Sequence, residues 1–199
     1  MNQQVMKLTF PKLIKENCVI DKRGLPIPYV VLIDNMGNPH FKINDTYKTM
    51  DCIYNDKCSI CGTKLKEDKW LIGGPQSAFH EKGCYIDTPV HYECGEFALK
   101  TCPYLAYSNY NGKLDMDKLK KQISGKVLLN DPTLDSNRVP LFVFGKISGF
   151  SMTGNEYLVR NKPFLEIEYW NNGIKLDENF ALETISKHFK EKNLNYDII

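Results

Sequence analysis

Two short motifs organise the fold of this chain, Cys58-Ser-Ile-Cys61 and His91-Tyr-Glu-Cys94. A Cys-x-x-Cys pair in a tight turn points two thiol groups at one place, and residues three apart share one face of a helix. Together the two stretches offer four ligands, which is the number that a closed tetrahedral zinc site needs. We therefore predict that Cys58, Cys61, His91 and Cys94 hold one Zn²⁺.

Two other cysteines and one histidine are alternative ligands near these stretches. Cys84 precedes the second stretch and could replace His91, whereas His80 is a weaker alternative in a predicted loop. Cys102 follows Cys94 by eight residues, about 12 Å along a helix axis, which is too far to share one ion unless the helix ends early. The four-ligand set leaves no position for a water molecule, so the pattern favours structural over catalytic zinc.

The composition limits the classes of protein to which the chain can belong. Its 199 residues are 42% hydrophobic and include no apolar run long enough to span a membrane, which predicts a globular protein. The first residues lack the pattern of a secretion signal, so we expect a cytoplasmic protein. Seven cysteines without an export signal favour metal binding and free thiols over disulfides, with Cys18 and Cys52 as buried thiols. A net charge of +2 is too weak to indicate nucleic-acid binding.

Turn and cap signals divide the first half into recognisable elements. Residues 25–44 predict a β-hairpin, Asp45 predicts the cap of a helix over 46–55, and residues 69–72 predict a strand that ends at a Gly-Gly-Pro breaker. Residues 76–87 follow as a loop or second strand, and a Thr-Pro start predicts a helix from 89 to about 101. A cysteine turn, a hairpin and a helix carrying the second ligand pair form a treble-clef-like zinc module over about 56–103.

The second half has a different pattern. Residues 107–113 predict a polar loop, 114–124 a short helix and 131–140 a linker, followed by strands at 141–144 and 164–170. Asn171-Asn-Gly173 predicts a tight turn, and Asp177 predicts the cap of a helix from 178 to about 192. We predict an α+β fold in which the zinc module packs with short antiparallel sheets and a C-terminal helix. Residues 1–130 form the N-terminal region, and 131–199 form a hairpin and helix packed with it.

Few side chains in the sequence have a pattern typical of catalytic residues. A metal-dependent nuclease of the His-Asn-His type would have to use His80 and His91, and His91 cannot serve both a structural and a catalytic ion. Glu166 and Glu168 face one side of a predicted strand, where they form either a metal site or a solvated sheet face. No phosphate-binding loop or nucleophile elbow is present, so the sequence favours a protein that is not an enzyme.

The motif string resembles a family of uncharacterised phage and prophage proteins that is common in actinobacteria. The matching features are Cys-x-x-Cys-Gly, then Gly74-Pro75, then Pro-x-His-x-x-Cys, an aromatic-Ala pair, and Cys102-Pro-Tyr-Leu105. The family commonly has a further cysteine after Gly-Pro, where this chain has Gln76 and Ser77. The resemblance implies a phage setting and the ligand set Cys58, Cys61, His91 and Cys94, but no settled activity.

These observations predict a phage-encoded, zinc-stabilised accessory protein that binds a host macromolecule without catalysis. The expected partner is a host protein, such as a defence protein inhibited in the manner of an anti-CRISPR, or a regulatory protein. The alternatives are a nucleic-acid-binding zinc-finger protein and the His-Asn-His-type nuclease.

Overall fold

The fold is α+β, with helices and short antiparallel sheets, in a computed structural model that describes residues 9–106, 141–154 and 157–193. The helices are α1 (Lys12–Asn17), α2 (Thr46–Asn55), α3 (Pro75–Phe79), α4 (Tyr92–Thr101), α5 (Pro103–Ala106) and α6 (Glu178–Glu191). The strands are β1 (Val19–Ile20), β2 (Pro26–Ile27), β3 (Val31–Ile33), β4 (Pro39–Asn44), β5 (Trp70–Gly73), β6 (Phe142–Lys146), β7 (Phe150–Met152), β8 (Leu158–Arg160), β9 (Glu166–Asn171) and β10 (Ile174–Lys175).

A four-stranded antiparallel sheet, in the order β10-β9-β6-β5, joins the two predicted regions. Trp70 of β5 pairs with Lys146 of β6, although the first residue lies in the region 1–130 and the second in 131–199. The predicted boundary between the regions lies outside the described residues, as do the predicted polar loop, the helix at 114–124 and the linker at 131–140. The remaining strands form two-stranded ladders, β1 with β2, β3 with β4 and β7 with β8.

The predicted hairpin and helix of the first half are confirmed. Asp34 accepts hydrogen bonds from the backbone N–H groups of Met36 and Asn38, at 2.9 and 2.8 Å, and so holds the turn between β3 and β4. Asp45 caps α2 by accepting from the N–H groups of Tyr47 and Lys48. The chain leaves α2 directly for the Cys58 turn.

The predicted turn and helix near the C-terminus are also confirmed. Asn172 and Gly173 have φ angles of 49° and 75°, as a tight hairpin turn requires. Asp177 accepts from the N–H of Phe180 and caps α6, which buries Ala181, Ile185 and Phe189 against β6 and β9. Phe180, in the first turn of α6, is 59% exposed.

Two local predictions are wrong. The segment predicted as loop or strand at 76–87 contains α3, because Pro75 occupies the first helical position after Gly74. The helix predicted from 89 begins instead at Tyr92, because Val90 exchanges two backbone hydrogen bonds with Trp70. The β7–β8 hairpin was not predicted.

None of the helices within the described ranges has the length and apolar character that crossing a bilayer requires.

Candidate metal centre

The structure brings Cys58, Cys61, His91 and Cys94 together. One ligand atom from each residue lies within 4.8 Å of the others, and all four residues are buried. Within the described residues this is the group of histidine, cysteine and acidic side chains that could hold a metal ion. Three sulfurs and one imidazole nitrogen form a set that suits a tetrahedral ion.

The first pair of ligands is held by a tight turn. The N–H of Gly62 donates to the carbonyl of Cys58 at 2.8 Å, and the N–H of Cys58 donates to the carbonyl of Thr63 at 2.8 Å. Gly62 has a φ of +71°, and a Cβ at this position would lie 2.9 Å from Cδ2 of Tyr29. Both observations explain why glycine follows the Cys-x-x-Cys pair.

The second pair of ligands is set by the start of α4. His91 is the N-cap residue and Cys94 lies in the first turn. Asp68 holds this helix end from outside, because its Oδ2 accepts from the N–H of Tyr92 at 3.0 Å and its Oδ1 accepts from Nε1 of Trp70 at 2.8 Å. One carboxylate therefore fixes both α4 and the strand that leads away from the cysteine turn.

Hydrogen bonds to neighbouring groups orient the His91 ring. Nδ1 lies 3.5 Å from Sγ of Cys61, and Nε2 lies 3.1 Å from the carbonyl oxygen of Lys64. A carbonyl can only accept, so the proton belongs on Nε2 and the lone pair of Nδ1 points into the cluster. A ligating histidine commonly donates its other N–H to a carbonyl in this way. The hydroxyl of Thr63, 3.1 Å from Sγ of Cys61, can donate to that sulfur.

Interactions among the four side chains shift their pKa values in opposite directions. As long as no ion lies between the four side chains, hydrogen bonds with Cys58, and then with Cys61, raise the pKa of His91 to about 10 and also raise the pKa of Cys94. Hydrogen bonds with Cys58 and Cys94 lower the pKa of Cys61. Three sulfurs in such proximity cannot all carry negative charge without a cation among them, and a divalent ion would supply that charge.

The hydrophobic core encloses the cluster on several sides. Buried Leu65, Val90 and Phe97 belong to the same core group as the three cysteines. The protein supplies four ligands in a buried place, so the arrangement resembles closed structural metal sites rather than catalytic sites with an open position.

The alternative ligands lie elsewhere. Cys102 follows the last residue of α4, and Cys84 is a half-buried residue of the loop after α3, so neither belongs to the cluster. His80 ends α3, where its Nδ1 accepts from the N–H of Lys82 at 3.1 Å. Cys52 is buried as predicted. Cys18 is only half-buried, and its thiol lies 3.4 Å from the Ile60 carbonyl.

The predicted carboxylate pair on β9 is engaged by neighbouring side chains. Glu166 pairs with Lys146 at 2.6 Å. Glu168 accepts from the Tyr92 hydroxyl at 3.1 Å, from Nε1 of Trp170 at 3.0 Å and from Lys175 at 2.7 Å. The contact with Tyr92 connects the sheet to α4. Both carboxylates have protein partners that compensate or bind them, so their positions require no metal ion.

Comparisons with protein-family models, with curated proteins and with solved structures gave no match. The fold and the site alone therefore define the class, which is an α+β protein with a buried three-cysteine, one-histidine cluster suited to a metal ion. The resemblance to phage proteins stays a prediction.

Proposed function

We propose that the chain is a zinc-stabilised, non-enzymatic accessory protein, encoded by a phage or prophage, that binds a host protein in the host cytoplasm. The single observation that carries this proposal is the closed, buried set of Cys58, Cys61, His91 and Cys94. A set of three thiolates and one imidazole is typical of structural zinc, and it provides no coordination position for a reacting water.

The exposed side of α2, the helix that precedes the cysteine turn, offers a binding face. Tyr47 and Tyr54 lie seven residues apart on α2, about two helical turns, and are 89% and 72% exposed. Exposed tyrosines at such spacing are typical of protein-binding surfaces, where they supply large contact areas at low cost in conformational entropy. We call these two residues the tyrosine face.

Tyr29 couples the tyrosine face to the candidate metal centre. Its hydroxyl donates to Oδ2 of Asp51, on the middle turn of α2, at 2.6 Å, and its backbone N–H donates to the carbonyl of Ile60 at 2.8 Å. Its ring contacts the position of Gly62. Loss of the metal would loosen the cysteine turn and, through Tyr29, the support beneath α2.

Inhibition of a host defence or regulatory protein would use such a rigid surface without catalysis. The His-Asn-His-type nuclease fits the geometry less well, because both ring nitrogens of His91 face partners within the candidate metal centre. Nucleic-acid binding lacks a specific structural observation in its favour and becomes an outcome of the test.

The test is purification of the tagged protein from host lysate, with and without nuclease treatment, together with a metal measurement. We expect one zinc per chain and a protein partner that survives nuclease treatment. The Tyr47→Ser, Tyr54→Ser double variant should lose that partner, whereas Phe180→Ser, at an exposed aromatic residue on α6, should retain it. Partners lost on nuclease treatment, with binding that weakens steeply as salt rises, would indicate nucleic-acid recognition instead.

A further inference from the structure

Arg160 is a buried cation with no carboxylate partner among the described residues. It lies on β8 and is only 8% exposed. Its Nη2 donates to the carbonyl of Ala78 at 2.9 Å, and Nη1 lies 3.4 Å from the carbonyl of Asn161. Its Cζ lies 3.6 Å from the ring centroid of Phe164. These partners are all neutral, whereas a charge removed from water is normally compensated by an opposite charge.

The hydroxyl of Tyr85 is a second unusual group at the same place. Tyr85 is 3% exposed, and within the part of the chain that the structure describes no donor or acceptor meets its hydroxyl with full hydrogen-bond geometry. The Arg160 guanidinium lies close to this hydroxyl, and a hydrogen-bonding and a Coulombic interaction between the two side chains partly offset the effect of burial on their pKa values. A buried polar atom without a well-formed hydrogen bond requires an explanation, and an unseen ligand or ion is one such explanation.

The walls around these two groups are closely packed. A Cβ at Gly73 would lie 2.5 Å from Cε1 of Tyr85 and 3.2 Å from Cβ of Ser77, so β5 needs glycine where Tyr85 crosses it. A Cβ at Gly145 would clash with Cε1 of Phe164, so the ring that covers Arg160 packs directly against the β6 backbone. The guanidinium is thus held between the Phe164 ring and the Ala78 carbonyl.

The pKa shifts of Arg160 and Tyr85 agree with a buried charge that is only partly compensated. Burial lowers the pKa of Arg160, and burial likewise raises the pKa of Tyr85. Both shifts oppose the charged form, as expected for ionisable groups that are removed from water without sufficient compensation.

We propose that Arg160 and Tyr85 form a binding site for an oxyanion, meaning the carboxylate or phosphate group of a ligand. The planar guanidinium matches the geometry of both groups, and the Tyr85 hydroxyl can donate a further hydrogen bond. The site belongs to a different part of the core from the candidate metal centre, since Tyr85 packs with Leu71 and Leu158. It adds a ligand-binding site to the proposed function.

The experiment measures binding of inorganic phosphate and of acetate to the full-length, metal-loaded protein by calorimetry and thermal melting. Chloride replaces each anion at constant ionic strength. Arg160→Gln removes the charge, Tyr85→Phe removes only the hydroxyl, and Arg23→Gln is the matched control, since the exposed Arg23 side chain pairs with Asp21. Circular dichroism and metal content establish that each variant is folded.

We expect saturable binding of at least one anion, weakened at least tenfold in Arg160→Gln, weakened in Tyr85→Phe and unchanged in Arg23→Gln. Phosphate alone, acetate alone or both would identify the group that the site accepts. If Arg160→Gln does not fold, Tyr85→Phe decides the question, because this change preserves the ring. The proposal is overturned if neither anion binds up to about 10 mM, or if folded Tyr85→Phe binds as tightly as the wild type.

Discussion

Asp68 offers the sharpest test of how the candidate metal centre is assembled. Replacing it with alanine removes the acceptor for the first N–H of α4 and the acceptor for Nε1 of Trp70, which is 3% exposed. Loss of a helix cap costs about 0.5–2 kcal/mol, and a buried N–H left without an acceptor costs about 1–3 kcal/mol. We therefore expect Asp68→Ala to destabilise the protein by about 2–4 kcal/mol, or roughly 5–15 °C in melting temperature for a chain of this size.

The assay is urea unfolding of the metal-loaded protein, together with the rate at which a chelator removes the metal. Because Tyr92 begins the helix that carries Cys94, Asp68→Ala should release the metal faster than the wild type. Asp68→Asn retains one acceptor oxygen and should lie between the two, while Glu67→Ala, at the exposed neighbouring acid, should be nearly neutral. A loss below about 0.5 kcal/mol in Asp68→Ala, within the range of ordinary surface substitutions, would refute this account of the helix start.

Three further predictions concern the cysteine turn, its metal and the β3–β4 hairpin. Chelation, or Cys94→Ser, should abolish cooperative unfolding of the segment around the cluster, as followed by near-ultraviolet circular dichroism; a native spectrum after complete metal removal would count against a structural metal. Gly62→Ala should destabilise the protein by about 1–2 kcal/mol because its φ is +71° and its Cβ would contact Tyr29, and an unchanged urea midpoint would contradict that. Hydrogen bonds, first from the Asn38 backbone, lower the pKa of Asp34 to about 2 from 3.8, so its stabilising effect should be present above about pH 4 and be lost as the pH falls towards 2. Urea midpoints measured between pH 2 and 5 should therefore change less steeply in Asp34→Asn than in the wild type.

Local signals were sufficient wherever one side chain determines the backbone around it. Asp45 and Asp177 accept from N–H groups two or three residues ahead, so each predicts its helix without reference to the rest of the fold. Asn172 and Gly173 adopt positive φ for the same local reason. The four candidate ligands also form two pairs, each of residues three apart in the sequence. The fold needs only to bring these two pairs together.

The remaining features depend on contacts between distant residues. Thr88 and Pro89 have the pattern of a helix start, yet the backbone of Val90 pairs with Trp70 and delays the helix until Tyr92. The exposure of Tyr47 and Tyr54 depends on which side of α2 packs against the core, and that side carries Cys52.

The proposed oxyanion site had no sequence signal at all. Arg160 and Tyr85 meet because Tyr85 pairs through its backbone with Leu158 across an isolated bridge. A buried arginine in a strand that was not predicted could only be found in three dimensions.

The pairing of β5 with β6 constrains how the chain folds as it leaves the ribosome. The cysteine turn and α4 can close around a metal as soon as a short segment of chain has been synthesised. By contrast, Gly73 of β5 can pair with Val143 of β6 only after about 70 further residues have been added. At typical synthesis rates this delay is about 3–15 s, during which one edge of β5 lacks its partner strand. Early binding of a metal ion would keep the first half compact through this interval. A chain synthesised without that metal would expose an apolar strand edge, which promotes aggregation.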